Sequence, residues 1–371
     1  MSELIHSPLH NEHEKLEARF TPFGQWNMPL KYGSELEEHR AVRSAAGLFD
    51  LSHMGEIRVS GAQAGEFLDY ALISLLSALP VGKAKYSMIV AEDGGIIDDL
   101  ITYRLAEQEY LVVPNAGNAT TVFAELEKRA AGFEVSVVDE SKDTALIAVQ
   151  GPRAEEIVLA ATANTPETDP EVVRSLRYYA CAPIMVDQLA VLLARTGYTG
   201  EDGFELYVSA EQATILWQKL LAVGAQFGLI PAGLAARDSL RLEAGMPLYG
   251  NELSRQRTPI SAGLGVLVSK KKQGDFVGKQ ALSNAEQPTQ VLVGLVSKER
   301  RAARAHTPLL DENDQVVGEV TSGQPSPTLG HPIALAYVDR AYQEPGSVLR
   351  ADIRGKHYAF EVVKLPFYSR D

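Results

Sequence analysis

Two aspartates, Asp98 and Asp99, stand inside an apolar run, Ile96-Ile97-Asp98-Asp99-Leu100-Ile101-Thr102-Tyr103, directly after Asp93-Gly94-Gly95. A turn triplet of this kind between two stretches rich in β-branched and aromatic residues, Tyr86 to Val90 and Ile96 to Tyr103, predicts a β-hairpin. Side chains alternate along a strand, so Ile97, Asp99, Ile101 and Tyr103 share one face, and Ile96, Asp98, Leu100 and Thr102 the other. Neither face is polar enough to make an aspartate incidental. A buried carboxylate must be paired, protonated or reserved for a ligand. Taken alone, the pattern fits a turn cap, a partner for Arg104, or a binding site.

The chain has 371 residues, more than a single core usually serves, so two or three domains are expected. Apolar residues make up 45% and charged residues 22%, which excludes a disordered chain. With 35 basic and 48 acidic residues the net charge is −13, which argues against nucleic acid as the main partner. One cysteine, Cys181, excludes an internal disulfide and any multi-thiolate metal site. No run of eighteen apolar residues predicts a membrane helix, and Met1 to Phe20 has neither the apolar core of a secretory signal nor an Arg-rich transit pattern. A cytoplasmic location is expected.

Ser34 and Glu37 form a capping box, and Gly47 is expected at C′ after Ala46. An aromatic loop, residues 20–26, precedes that helix. Strands are expected at Glu56–Ser60, Tyr110–Val113, Ala145–Val149, Leu189–Ala194 and Phe204–Val208, and helices at Ala62–Leu72, Asn115–Ala131, Ala213–Phe227 and Ala232–Ala244. From Val291 onward five short strands, Leu292–Val296, Val316–Thr321, Ile333–Val338, Val348–Ile353 and Tyr358–Val363, alternate with turn residues and predict a small antiparallel barrel. The phosphate-cradling, dinucleotide-binding, zinc-protease and serine-hydrolase motifs are all missing from the sequence.

Six segments resemble the T-protein of the glycine cleavage system, a folate-dependent aminomethyltransferase. They are Gly47-Leu48-Phe49-Asp50-Leu51-Ser52-His53-Met54; Gly94-Gly95-Ile96-Ile97-Asp98-Asp99-Leu100; Val113-Pro114-Asn115-Ala116-Gly117-Asn118; Arg195-Thr196-Gly197-Tyr198-Thr199-Gly200-Glu201-Asp202-Gly203-Phe204-Glu205; Ala235 to Gly245; and Thr321-Ser322-Gly323 with Ser326-Pro327-Thr328-Leu329. They occur in the family's order from about residue 20 to the end of the chain.

The resemblance implies an α+β fold, a three-domain ring of two mixed α/β domains plus a C-terminal antiparallel β-barrel. Its expected boundaries are 1–50 with 140–285, then 51–139 carrying the hairpin, then 286–371. It implies transfer of an aminomethyl carbon from the lipoyl arm of H-protein to tetrahydrofolate, with no metal. H-protein would be a transient partner and the chain a monomer. Asp99 matches the family's catalytic aspartate, and Asp98, on the opposite face, is expected to be structural. Met54, Tyr86, Val113 and Asn115 match the pterin side of the folate site. Tyr198 and Glu205 match binding residues in the glycine-rich segment, where a carboxylate can accept two pterin N–H bonds at once. Arg237 matches an arginine on the folate-facing helix, and Tyr368 an aromatic that closes the site. Arg237 and Arg241, four residues apart, could instead pair only with Asp238 or Glu243.

Ser261 and Val266 depart from the family, which shows an acidic residue and a Trp there. A tetrahydrofolate-dependent demethylase shares much of this motif set, and a non-catalytic folate-binding module is a further alternative. Folate proteins of iron–sulfur maturation carry a functional cysteine in the region corresponding to Glu243–Glu252, and this chain has none there.

Overall fold

A computed structural model describes residues 4–370. Asp93-Gly94-Gly95 does turn the chain. Gly94 takes φ +83°, where a side chain would be strained, and its N–H donates to the Ala91 carbonyl at 2.9 Å. The Gly95 N–H donates to Asp93 Oδ1 at 2.9 Å. The strands Ala84–Val90 and Ile96–Ala106 flank the turn. Asp98 is fully buried and Asp99 half-buried, so the two carboxylates occupy different faces as the alternation requires. Arg104 pairs with neither; its guanidinium donates to the Ser77 and Leu79 carbonyls at 3.0 and 2.7 Å and to Glu107.

The chain divides into two compact units. The first comprises the described residues up to Ala71, Leu75–Ser87 and Leu100–Arg237, and the second Leu72–Ser74, Met88–Asp99 and Asp238 onward. The first unit holds a six-stranded sheet in the order Cys181–Val186, Leu189–Ala194, Gly203–Ser209, Thr144–Gln150, Ala46–Asp50, Leu229–Pro231. All its neighbours are antiparallel except the last pair. The helices Ala154–Thr162 and Ala213–Gly224 cover this sheet, burying Ile157, Val158, Leu216, Trp217 and Leu220 against Ile147, Val149, Leu193 and Leu206. Burying one such large side chain contributes roughly 1.5–3 kcal/mol.

A five-stranded sheet runs Ala84–Val90, Ile96–Ala106, Glu109–Pro114, Ile57–Ser60, Ser136–Asp139. Its first two strands pass from one unit to the other, at Ser87/Met88 and at Asp99/Leu100. The aromatic segment 20–26, expected as a loop, is a hairpin of Arg19–Phe23 and Trp26–Lys31, because Phe23 and Trp26 pair across its two-residue turn. Ser34 caps the helix Glu35–Ser44 by accepting from the Glu37 N–H at 3.4 Å. Gly47 is not its C′ residue. The helix ends at Ser44 with Ala45 as its C-cap, and Gly47 lies within the strand Ala46–Asp50, where a Cβ would meet Val42 Cγ2 at 2.5 Å.

In the second unit the C-terminal strands close into a barrel, as expected, but with six strands rather than five. The order is Gln290–Val296, Pro332–Asp339, Val316–Pro325, Pro308–Leu310, Val348–Ile353, Lys356–Val363, and the last pairs back to the first. The additional strand is three residues long, too short for an alternating pattern to mark it. Leu295, Leu309, Val320, Ala336, Leu349 and Phe360 fill the barrel core.

Candidate functional site

The glycine-rich segment after Arg195 packs closely around Gln150. Gln150 Nε2 donates to the Thr196 carbonyl at 3.0 Å, and Thr199 Oγ1 donates to Gln150 Oε1 at 2.9 Å. Only glycine fits beside that amide: a Cβ on Gly197 would come within 2.0 Å of Gln150 Oε1, and one on Gly203 within 2.3 Å of Nε2. Arg195 pairs with Asp202 and Glu155, and Arg43 pairs with Glu201 at 2.9 Å while donating to the Thr199 carbonyl at 2.7 Å. The turn is thus fixed from both sides, which fixes Tyr198 at its centre.

Glu205 lies on the strand that leaves this turn. Its Oε2 accepts from Thr196 Oγ1 at 2.5 Å and from the Tyr103 hydroxyl at 3.2 Å, and the Tyr207 hydroxyl donates to Tyr103 at 3.3 Å. Burial, then the charge of Glu205, pushes the Tyr103 phenol well above its ordinary value, so it remains a neutral donor. Sequence reasoning singled out Glu205 and missed both of its donors and the Tyr207 hydroxyl behind Tyr103. Oε2 already carries these two donors, which leaves Oε1 the greater acceptor capacity. A ligand would be read chiefly through Oε1.

Arg237 and Tyr198 are brought together, with the guanidinium 4.7 Å from the ring centroid. Burial lowers the Arg237 pKa, while Tyr198 and Glu205 oppose that shift, so an arginine, a phenol and a carboxylate converge. His53, next to Met54, is buried and interacts electrostatically with the same Arg237; among the described residues its Nδ1 has no hydrogen-bond partner. Burial first, then Arg237, lowers the His53 pKa from 6.5 to about 4. The folded-state value is depressed, so the stability it confers is complete above pH 6.5 and is lost as the pH falls from 6.5 towards 4, about 3 kcal/mol in all. Between pH 7 and pH 5, urea unfolding of the wild type should lose about 2 kcal/mol more than that of His53→Gln. Equal losses would remove His53 as the source.

Val113 is buried in the sheet opposite Ile101, and Met54, Tyr86 and Asn115 are half-buried. The Asn115 carbonyl accepts from the Asn118 N–H at 2.9 Å, opening the helix Ala119–Arg129. Glu56, not singled out from the sequence, is fully buried, and among the described residues neither of its carboxyl oxygens has a hydrogen-bond partner. Burial, reinforced by Asp139, Glu140 and Glu205, pushes its pKa well up, so Glu56 is held as the neutral acid. Cys181 is buried and pushed up to about 11 by burial, so its thiol is unreactive.

Asp99 and Tyr368 belong to the second unit. The hairpin tip below Asp99 is clamped: Arg255 Nη1 donates to the Gly95 carbonyl at 2.8 Å, and a Cβ on Gly95 would meet the Arg255 carbonyl at 2.3 Å. The Ile96 N–H donates to the Arg257 carbonyl at 2.9 Å. Tyr368 is tied through its N–H to the Glu243 carbonyl at 2.8 Å, which places it at the end of the helix Leu234–Glu243. Of the two departures from the family pattern, Ser261 closes a local turn by donating to the Thr258 carbonyl at 3.0 Å, and Val266 is 88% exposed. Among the described residues there is no group of three His, Cys, Asp or Glu side chains that could hold a metal ion, and no helix long and apolar enough to cross a membrane.

Residues 9–272 match the family described as GCVT N-terminal domain, and residues 290–369 match the glycine cleavage T-protein C-terminal barrel domain. A protein of Corynebacterium aurimucosum named aminomethyltransferase is 60% identical over 375 residues, covering 100% of both chains. One of the same name from Saccharopolyspora erythraea is 56% identical over 373 residues, again covering 100% of both. The crystal structure of glycine cleavage system aminomethyltransferase T from Bartonella henselae superposes with a TM-score of 0.90 at 40% identity, covering 98% of each chain.

Proposed function

Because the chain belongs to the glycine cleavage T-protein family, we propose that it is the aminomethyltransferase of that system. The observation that carries this reading is the agreement over the whole chain with relatives named aminomethyltransferase, at up to 60% identity. The reaction moves the aminomethyl carbon from the lipoyl sulfur of H-protein to tetrahydrofolate. The carbon–sulfur and carbon–nitrogen bonds break and two bonds to folate nitrogens form. The two protons lost from those nitrogens leave on the dihydrolipoyl thiol and on ammonia, giving methylene-tetrahydrofolate.

In this reading Glu205, Tyr198 and Arg237 bind the folate, with Met54, Tyr86, Val113 and Asn115 lining its pterin side and Tyr368 closing the site. Glu205 reads pterin N–H groups, and the neutral Tyr103 and Thr196 hold its carboxylate in one orientation. Asp99 stabilises the cationic carbon under transfer and steers the proton leaving the attacking nitrogen. The enzyme works in the cytoplasm, as a monomer that meets H-protein transiently.

The fate of the folate tests the reaction class: methylene-tetrahydrofolate formed from loaded H-protein supports the reading. Methyl transfer from a sulfonium substrate, with no reaction from H-protein, would make the protein a demethylase. Binding tests the role given to Glu205. Thr196→Val removes a short hydrogen bond to a charged acceptor, so folate should bind roughly tenfold more weakly by calorimetry. An unchanged Kd would show that Glu205 does not depend on that bond.

A further inference from the structure

Tyr249 stands on a loop that the sequence did not single out. The Leu248 N–H donates to Glu252 Oε2 at 2.9 Å, and the Gly250 N–H donates to the Leu253 carbonyl at 2.8 Å. Glu252 is fully buried and paired with Arg241 at 3.0 Å, so the loop carrying Tyr249 is anchored to the helix Leu234–Glu243 by a buried ion pair. From this support the Tyr249 hydroxyl donates to the Ile96 carbonyl at 3.2 Å, three residues ahead of Asp99 on the same strand. Asp98, Asp99 and Arg255 are the charged groups that act on the phenol. Burial, then Asp98 and later Asp99, raises its pKa, with Arg255 opposing them, so the hydroxyl stays protonated.

We infer that Tyr249 is a positioning residue for the Asp99 carboxylate, its hydroxyl pinning the strand at Ile96 and adding a neutral polar group beside the two aspartates. Three fastenings then converge on the start of this strand: Arg255 on the Gly95 carbonyl, the Arg257 carbonyl on the Ile96 N–H, and Tyr249 on the Ile96 carbonyl. The first two hold the turn. The third adds a neutral phenol that interacts electrostatically with both aspartates. Replacing the hydroxyl by hydrogen leaves an apolar ring edge near the carboxylates, which favours the protonated form of Asp99.

The inference rests on the reading of Asp99 as the carboxylate acting in the reaction. The experiment therefore measures the pH dependence of kcat for wild type, Tyr249→Phe and Asp99→Asn side by side. Tyr249→Phe should lower kcat about tenfold, the loss of one hydrogen bond, with KM for folate changed less than twofold. Its acid limb should move to higher pH, a change that a purely structural role would not produce. Site-specific replacement of Tyr249 by 3-fluorotyrosine, which keeps the ring's shape and strengthens the donor, should move the acid limb to lower pH. It decides the matter should Tyr249→Phe fail to fold. An inactive Asp99→Asn with unshifted profiles in the Tyr249 variants would overturn the inference alone. Near-normal turnover in Asp99→Asn would overturn the reading of Asp99 itself.

Discussion

Asp99→Asn should lower kcat by roughly two to four orders of magnitude, the range for losing a general acid–base group or a charge partner of the transition state. The amide keeps the shape of the side chain and removes its charge. Asp99 is half-buried in an apolar strand, and partial removal from water strengthens the field of its carboxylate. Folate should bind Asp99→Asn within a few-fold of the wild type, because pterin recognition is assigned to Glu205, Tyr198 and Arg237. Steady-state kinetics with loaded H-protein and a folate titration separate the two quantities. A parallel loss of binding and turnover would mean that Asp99 positions folate rather than acting on the transferred carbon.

Arg241→Met should destabilise the second unit by about 3–5 kcal/mol, a large share of the 5–15 kcal/mol typical of a folded domain. Arg241 is 1% exposed and donates to Glu252 at 3.0 Å, Ser322 Oγ at 2.8 Å and the Met246 carbonyl at 3.2 Å, besides pairing with Asp238 at 2.8 Å. Removing the guanidinium strands the Glu252 carboxylate where water cannot reach it. The double variant Arg241→Met, Glu252→Leu removes both charges and should recover much of the loss. Urea unfolding of the three proteins checks this, and a single variant as stable as the wild type would show that the ion pair is not what holds the loop 248–253.

Arg241 and Arg237 also show where sequence reasoning stops. At four-residue spacing on one helix they present the same local pattern, and pairing with Asp238 was open to both. Arg241 does pair with Asp238, whereas Arg237 stacks on Tyr198, a contact made across 39 positions of chain. Features written in consecutive residues were legible: the Asp93-Gly94-Gly95 turn, the Ser34 cap, the alternation that separates Asp98 from Asp99, and the barrel strands. The supports of the site were not. Tyr103 and Thr196 reach Glu205 from other elements, and Gln150 wedges the glycine-rich turn from a neighbouring strand. His53 lay inside a recognised segment, yet only folding surrounds it with apolar groups and Arg237. Glu56 reads as one more surface acid beside Arg58 until the fold encloses it.

The most direct test of the proposed activity is ammonia release from H-protein carrying the aminomethyl group on its lipoyl arm, measured with and without tetrahydrofolate. We predict a rapid burst that requires both components and is suppressed about a hundredfold or more in Asp99→Asn. Folate binding without ammonia release from loaded H-protein would contradict the aminomethyltransferase reading.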